Sequence, residues 1–262
     1  MRFLVLLMVA ASLGYAHAEA VRLPGPDGII LNAELFPAQG RTRTTAVVAL
    51  HSCSGPLPGR DAGWARHLAA LGHAVLLPDS FGSRGLGSQC GARSRAITGV
   101  RRQDALAAVR YLQQRPGTPP GGVVLMGWSD GGTAVLAAGR AMPDVPAGLI
   151  RGLIAFYPGC RIAAETKDWA PAAPLLILIG EADDLTPAAP CRALAEHVGS
   201  KITLTTYPNA FHDFDTPNSK VRTRAGLATA AGGAAHSGTD PAARDDALRR
   251  VPAYIAALPP AT

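Results

Sequence analysis

The sequence predicts an α/β fold in which a mostly parallel sheet is covered by helices on both faces. Short apolar runs rich in branched residues alternate with longer Ala- and Leu-rich stretches along the 262 residues, and this alternation is typical of repeated β–α units. Several short runs, among them 123–126 and 175–179, are almost continuously apolar. Strands buried on both faces of a parallel sheet have this composition.

The same patterns assign the individual elements in order along the chain. Strands are predicted at 29–36, 45–50, 74–77, 122–126, 148–156, 174–179 and 201–207. Helices are predicted at 61–71, 96–114, 131–142, 187–198 and 241–258. Segment 224–239 is glycine-rich and weakly patterned, so we predict a loop leading to the last helix, with a surface excursion favoured over a lid.

Residues 1–18 are predicted to be a secretory signal peptide, which leaves a single domain over 19–262. Arg2 supplies a positive charge, 3–10 forms an apolar core, and Ala16-His17-Ala18 is a small-x-small cleavage site. The apolar stretch 3–13 is well short of the roughly 20 residues that span a bilayer. We therefore expect an exported protein, periplasmic or secreted, with no stable membrane insertion.

The excess of positive charge does not indicate a nucleic-acid partner. Lys and Arg number 25 against 19 Asp and Glu, a formal net charge of +6, but the arginines are scattered along the chain. The densest patch, within 93–102, lies beside a predicted helix and lacks interleaved aromatic residues, so a solvated helical face is the simpler interpretation. With 48% hydrophobic residues, the chain is also too apolar to be disordered.

The four cysteines, Cys53, Cys90, Cys160 and Cys191, all lie beyond the predicted signal peptide. An even count in an exported chain indicates two disulfides, and the spacing leaves all three pairings open. No two cysteines have the short spacing of a zinc site. We expect neither a bound metal nor a cofactor.

The strongest chemical signal is the motif Gly127-Trp128-Ser129-Asp130-Gly131, which lies between a predicted buried strand and a predicted helix. A G-x-S-x-G sequence in this context forms a nucleophile elbow, because the glycines permit a sharp turn that presents the serine hydroxyl above the sheet edge. Ser129 also precedes a helix, whose N-terminus favours negative charge. Ser129 is therefore the candidate nucleophile.

A serine nucleophile needs a base that a carboxylate orients, and α/β-hydrolases supply them in the order Ser, Asp or Glu, His. Asp183 follows the strand 174–179, and His212 follows the strand 201–207, so both are expected at one rim of the sheet. Asp184 is the less favoured alternative acid. The other histidines either precede the serine or lie in less suitable segments; they are His51, His67, His73, His197 and His236.

Hydrolysis through a tetrahedral intermediate also requires donors for the oxyanion. The N–H after the nucleophile belongs to Asp130, and a second N–H is expected from the loop 51–55, with Cys53 as the favoured donor. Cys53 is itself a poor candidate nucleophile, because an exported cysteine is expected to be paired and no base is placed for it.

With these motifs the chain resembles the dienelactone hydrolase family of α/β-hydrolases over nearly the whole mature length. The segments that carry the resemblance are 51–55, 78–85, 127–132, 157–159, 180–183 and 207–214. The resemblance implies a nucleophile at Ser129, an acid at Asp183 and a base at His212. It also contains a departure, because the founding enzymes of the family are cytosolic and use cysteine where this chain has serine. Ester hydrolysis is therefore implied, but not the dienelactone substrate.

Two further expectations follow from the resemblance, and a third follows from the place of Trp128 in the elbow. The strands that precede Cys53 and Cys90 are neighbours in that fold, as are those that precede Cys160 and Cys191, so these two pairings are expected. An arginine near the family's site binds a substrate carboxylate, and Arg84 is the candidate, although a surface or loop-bracing role is favoured for it. Trp128 is expected either to line the pocket or, preferably, to pack beneath the sheet.

The sequence thus predicts a serine hydrolase that cleaves carboxylic esters or lactones through an acyl-enzyme. A peptidase or an acyltransferase would use the same three residues and is the nearest alternative. A secreted binding protein with a relict pocket is disfavoured by the complete set of Ser, Asp and His. The expected partner is a small-molecule substrate, and no oligomeric state is predicted.

Overall fold

The structure is a computed structural model that describes residues 18–42, 45–91, 95–116, 118 and 122–259. Residues 1–17 of the predicted signal peptide lie outside the described part of the chain. In the part described, no helix is both long enough and apolar enough to cross a membrane.

An eight-stranded sheet runs through the protein in the order β1-β2-β4-β3-β5-β6-β7-β8. Strands β1 and β2 form one antiparallel edge with β4, and all other neighbours are parallel. The predicted α/β class with a mostly parallel sheet is confirmed. The strands are β1 Glu19–Pro24, β2 Ile30–Phe36, β3 Ala46–Leu50, β4 Val75–Asp79, β5 Val123–Trp128, β6 Ile150–Phe156, β7 Leu175–Gly180 and β8 Ile202–Tyr207.

The helices are α1 Asp61–Ala70, α2 Arg95–Gln114, α3 Asp130–Ala138, α4 Arg161–Glu165, α5 Ala188–Val198 and α6 Pro241–Ala257. Each predicted helix is present, and the structure adds the short α4. Every residue of β5 and of β7 is buried. Because successive side chains of a strand point to opposite faces, complete burial means that both faces of the central sheet are covered.

The prediction of a loop over the whole of 224–239 is wrong. Strands β9 Arg222–Ala225 and β10 Ala234–Ser237 pair antiparallel and form a hairpin over 222–237, here named the cap hairpin. Its small residues carry little periodic signal, yet Leu227 and Ala235 are buried with Leu185 in a small cluster separate from the main core. That tertiary burial, together with the strand pairing, orders a segment whose local composition favours a loop.

Parallel strands all end at the same edge of their sheet, and this edge carries the chemistry. Ser129 directly follows β5, Asp183 follows β7, and His212 follows β8. Since β5, β6, β7 and β8 are consecutive neighbours in the sheet, residues far apart in sequence meet above its carboxyl edge.

Candidate active site

Ser129 occupies a strained turn between β5 and α3. Its φ and ψ are 56° and −116°, a conformation that is uncommon for a residue with a side chain. Gly127 and Gly131 make the turn possible, because an added Cβ would lie 2.5 Å from the Gly131 carbonyl oxygen in the first case and 2.1 Å from the Leu50 oxygen in the second. The Ser129 N–H donates to the Phe156 oxygen at 2.9 Å, which fixes the turn to β6.

The structure places Ser129, His212 and Asp183 in one hydrogen-bonded row. Ser129 Oγ lies 2.8 Å from His212 Nε2, and His212 Nδ1 lies 2.8 Å from Asp183 Oδ2. The three residues are 6%, 1% and 3% exposed, respectively. With its proton on Nδ1, the imidazole can accept the serine proton at Nε2, which is the geometry that activates a serine hydroxyl.

Asp183 is fixed by its own turn. Its Oδ1 accepts from the N–H groups of Leu185 at 3.0 Å and Thr186 at 2.8 Å. Oδ2 therefore faces His212. The adjacent Asp184 points elsewhere and accepts from the N–H of His236 on the cap hairpin at 2.8 Å, with a second contact of 2.7 Å to the imidazole.

Burial acts to lower the pKa of His212, but the negative charges of Asp183 and Asp213 outweigh it, so the pKa is raised above its ordinary value. The ring of Tyr157 packs edge-on against the imidazole with centroids 4.5 Å apart. Tyr157 adopts a positive φ of 36° at the end of β6. The histidine is thus oriented by both a carboxylate and an aromatic wall.

A buried polar network lies beneath His212, and sequence reasoning missed it. Arg60 is 1% exposed and donates to Asp213 at 2.9 Å and to the Tyr157 hydroxyl at 3.2 Å. Asp215 accepts from the same hydroxyl at 2.6 Å. The one available signal was the alternation Phe211-His212-Asp213-Phe214-Asp215, in which apolar and acidic residues flank the histidine.

Trp128 belongs to this network rather than to a pocket. It is fully buried, and its Nε1 donates to Asp215 at 2.9 Å. Trp128 therefore packs in the interior, as the favoured interpretation expects, and is not among the residues that line the cavity at Ser129. The indole is held there because the buried carboxylate of Asp215 needs donors.

Arg84, the candidate for binding a substrate carboxylate, is paired with a carboxylate of the protein itself. Both terminal nitrogens bind the carboxylate of Asp104 on α2 at 2.8 Å, and one also donates to the Ser80 oxygen at 2.7 Å. Asp104 is fully buried, so it requires a partner of opposite charge. Arg84 braces its loop and does not line the cavity at Ser129.

A cavity of about 500 Å³ opens onto Ser129. Cys53 and Asp130, whose N–H groups are the expected oxyanion donors, both line it. Its walls include Arg161 and Ile162 of α4 and residues 227–229 of the cap hairpin. The segment that the sequence favoured as a surface excursion therefore forms part of the cavity wall.

Two disulfides border this cavity. Cys53 is bonded to Cys90, and Cys160 is bonded to Cys191, so the pairing expected from the resemblance is present. The first bridge joins the loop after β3 to the loop after β4. The Cys90 oxygen also accepts from the Ala228 N–H at 2.9 Å, which links the cap hairpin to the same bridge.

The loop 51–55, here named the oxyanion loop because it carries the expected donor Cys53 N–H, is connected to the elbow by Arg101 of α2. This residue is 3% exposed and donates to the His51 oxygen at 2.6 Å and to the Asp130 carboxylate at 2.6 Å. One buried guanidinium thus holds the two segments that carry Cys53 N–H and Asp130 N–H at a fixed separation.

An elbow serine, a histidine and a carboxylate at the carboxyl edge of such a sheet define an α/β-hydrolase. The chain belongs to the dienelactone hydrolase family, whose model matches residues 32–258, and the family supports a hydrolase function. A search of curated proteins finds no match.

Solved structures with low sequence identity share the fold. A dienelactone hydrolase-like promiscuous phosphotriesterase from metagenomic libraries is 19% identical with a TM-score of 0.68, over 92% of this chain and 99% of that chain. The dienelactone hydrolase from Anabaena variabilis is 23% identical with a TM-score of 0.61, over 78% and 91%. The esterase domain of a Rhodothermus marinus protein is 16% identical with a TM-score of 0.60, over 92% and 99%.

Proposed function

We propose that the protein is an exported serine hydrolase that cleaves small carboxylic esters or lactones through an acyl-enzyme. The observation that carries the proposal is the contact of 2.8 Å between Ser129 Oγ and His212 Nε2 at the base of a cavity of about 500 Å³. Membership of the dienelactone hydrolase family supports the reaction class.

In the first half of the reaction, His212 Nε2 takes the Ser129 proton as Oγ attacks the ester carbonyl carbon. The carbonyl oxygen becomes an oxyanion, which the N–H groups of Cys53 and Asp130 stabilise. Asp183 keeps the imidazole in the tautomer that leaves Nε2 free, and it stabilises the imidazolium. The intermediate then collapses, the C–O bond breaks, and the imidazolium protonates the departing alkoxide.

In the second half, a water molecule attacks the acyl-enzyme and gives its proton to His212. Collapse of the second tetrahedral intermediate releases the carboxylic acid, and Ser129 recovers its proton from the imidazolium. A lactone follows the same steps, except that its alcohol remains attached to the acyl group. Peptide or acyl-acceptor substrates would use the same residues and differ only in the leaving or attacking group.

The deciding experiment is labelling with a fluorophosphonate probe, together with hydrolysis of a short-chain aryl ester. The wild type and Ser200→Ala, which changes an exposed serine in the turn between α5 and β8, should be labelled and active. Ser129→Ala should lose labelling and several orders of magnitude in kcat. Full activity in Ser129→Ala, or a wild type that neither labels nor hydrolyses any ester, would overturn the proposal.

Substrate class and export need separate tests. A panel that pairs an aryl ester, a lactone, a peptide amide and an added alcohol acceptor distinguishes esterase from peptidase and acyltransferase activity; the ester and lactone are expected to dominate. Export predicts that the protein isolated from the periplasm or medium begins at Glu19. An intact N-terminus on the isolated protein would contradict it.

A further inference from the structure

We propose that Thr186 is a positioning residue for Ser129, His212 and Asp183. Its hydroxyl holds Asp183 and His212 in the orientation that lets the imidazole reach Ser129. This inference rests on the proposed function and adds a fourth side chain to it. Thr186 lies in the loop between β7 and α5, three residues after Asp183.

The Thr186 hydroxyl has three polar neighbours. Oγ1 lies 3.0 Å from the Tyr157 carbonyl oxygen, 3.0 Å from Asp183 Oδ2 and 3.1 Å from His212 Nδ1. These neighbours belong to the segments that follow β6, β7 and β8. A single hydroxyl therefore joins the three segments that hold the acid, the base and the aromatic wall beside the base.

A hydroxyl can donate to one of the two oxygens and accept from the imidazole at the same time. Its one hydrogen is donated to a carbonyl or carboxylate oxygen, while its lone pairs accept the N–H of His212 Nδ1. The Nδ1 hydrogen is thus shared between Asp183 Oδ2 at 2.8 Å and Thr186 Oγ1 at 3.1 Å. Rotation of the imidazole away from Ser129 would break both contacts.

The chain holds this hydroxyl in place by local means. The Thr186 N–H donates to Asp183 Oδ1 at 2.8 Å, which closes the turn. Pro187 follows and restricts the backbone of Thr186 to extended conformations. A β-branched side chain has few χ1 rotamers, so the position of Oγ1 is largely determined before substrate binds.

Thr186 also lines the cavity, so a simple substrate contact has to be separated from positioning. A substrate contact would change KM and would act unequally on esters with different acyl groups. Loss of positioning would lower kcat by a similar factor for every acyl group, because the misplaced groups are those that move the serine proton.

The test compares Thr186→Val, which keeps the shape and removes the hydroxyl, with Thr186→Ser, which keeps the hydroxyl. For Thr186→Val we expect kcat to fall about tenfold or more across a series of acyl lengths, with KM changed less than about twofold. Thr186→Ser should recover most of kcat. Thr203→Val makes the same change on an exposed position of β8 and should match the wild type.

Wild-type kcat in Thr186→Val would overturn the inference, as would equal impairment of the Ser and Val variants when both melt at wild-type temperature. A loss confined to KM would assign Thr186 to substrate contact and also overturn it. If Ser129→Ala is inactive while Thr186→Val is fully active, this inference fails and the proposed function stands. If Ser129→Ala stays active, the proposed function fails first.

Discussion

The contact between helix α3 and the end of β3 predicts that Gly131→Ala destabilises the fold at the site itself. An added Cβ at Gly131 would lie 2.1 Å from the Leu50 oxygen and 2.5 Å from the His51 oxygen. Both are backbone atoms, so no side chain can rotate out of the way. Gly63 in α1 is the matched control, because an added Cβ there has no heavy atom within 4 Å.

The expected loss of stability follows from how far the added Cβ and the Leu50 oxygen must move apart. Real Cβ contacts are essentially never under 3.0 Å, so α3 and the Leu50 carbonyl must separate by almost 1 Å. Overpacking of this kind costs up to about 3 kcal/mol, and the better helix propensity of Ala returns about 1 kcal/mol. The net loss of about 2 kcal/mol corresponds to a fall in Tm of roughly 4–8 °C.

Thermal unfolding followed by circular dichroism measures both variants. Gly131→Ala should melt lower than the wild type, whereas Gly63→Ala should melt at the same temperature or slightly higher, because only the propensity gain applies. The displaced His51 carbonyl leads into the oxyanion loop, so Gly131→Ala should also lose kcat. A Gly131→Ala protein that melts at or above the wild-type temperature would refute the reasoning from close packing.

Four further outcomes are expected. Because the pKa of His212 is raised above 6.5, kcat/KM should rise with pH through a midpoint above that value, and Asp213→Asn should move the midpoint to lower pH. The raised pKa of His212 also stabilises the fold at pH values below the pKa that this histidine has in the unfolded chain. This contribution is lost as pH rises through the pKa of His212 in the folded protein, and denaturant titrations at several pH values measure the loss. Replacing Cys53 and Cys90 by Ala should cost about 2–4 kcal/mol of stability and lower kcat, because the bridge holds the oxyanion loop. A variant with wild-type kcat and wild-type stability would contradict that role. Arg84→Ala should lower Tm and leave KM for anionic esters unchanged; a KM effect confined to anionic esters would restore the substrate-binding role.

The sequence predicted those parts of the fold whose signal is local. Strands β5 and β7 are recognisable because complete burial makes every residue apolar. The elbow is recognisable because only glycine fits at Gly127 and Gly131. The order of motifs favours Asp183 over Asp184, and the structure joins Asp183 to His212 while Asp184 binds His236.

The missed parts depend on contacts that no local window contains. Strand β1 lies at the sheet edge and is mostly exposed, so it has little hydrophobic periodicity. The cap hairpin is ordered by tertiary contacts, among them Asp184 with His236 and Cys90 with Ala228. Arg60 reads as one more scattered arginine, since its partner Asp213 is 153 positions away.

Local motifs and contacts between distant segments have different roles at the site. The local motifs determine which atoms can react, namely a serine hydroxyl, an imidazole and a carboxylate at strand ends. Arg101 joins the loop 51–55 to the elbow, and Thr186 contacts both Asp183 and His212. The cavity wall formed by Ile162 of α4 and Leu227 of the cap hairpin lies outside those two sets of contacts. Substitutions at Ile162 and Leu227 should therefore change which ester fits, whereas substitutions at Arg101 and Thr186 should change how fast any ester reacts.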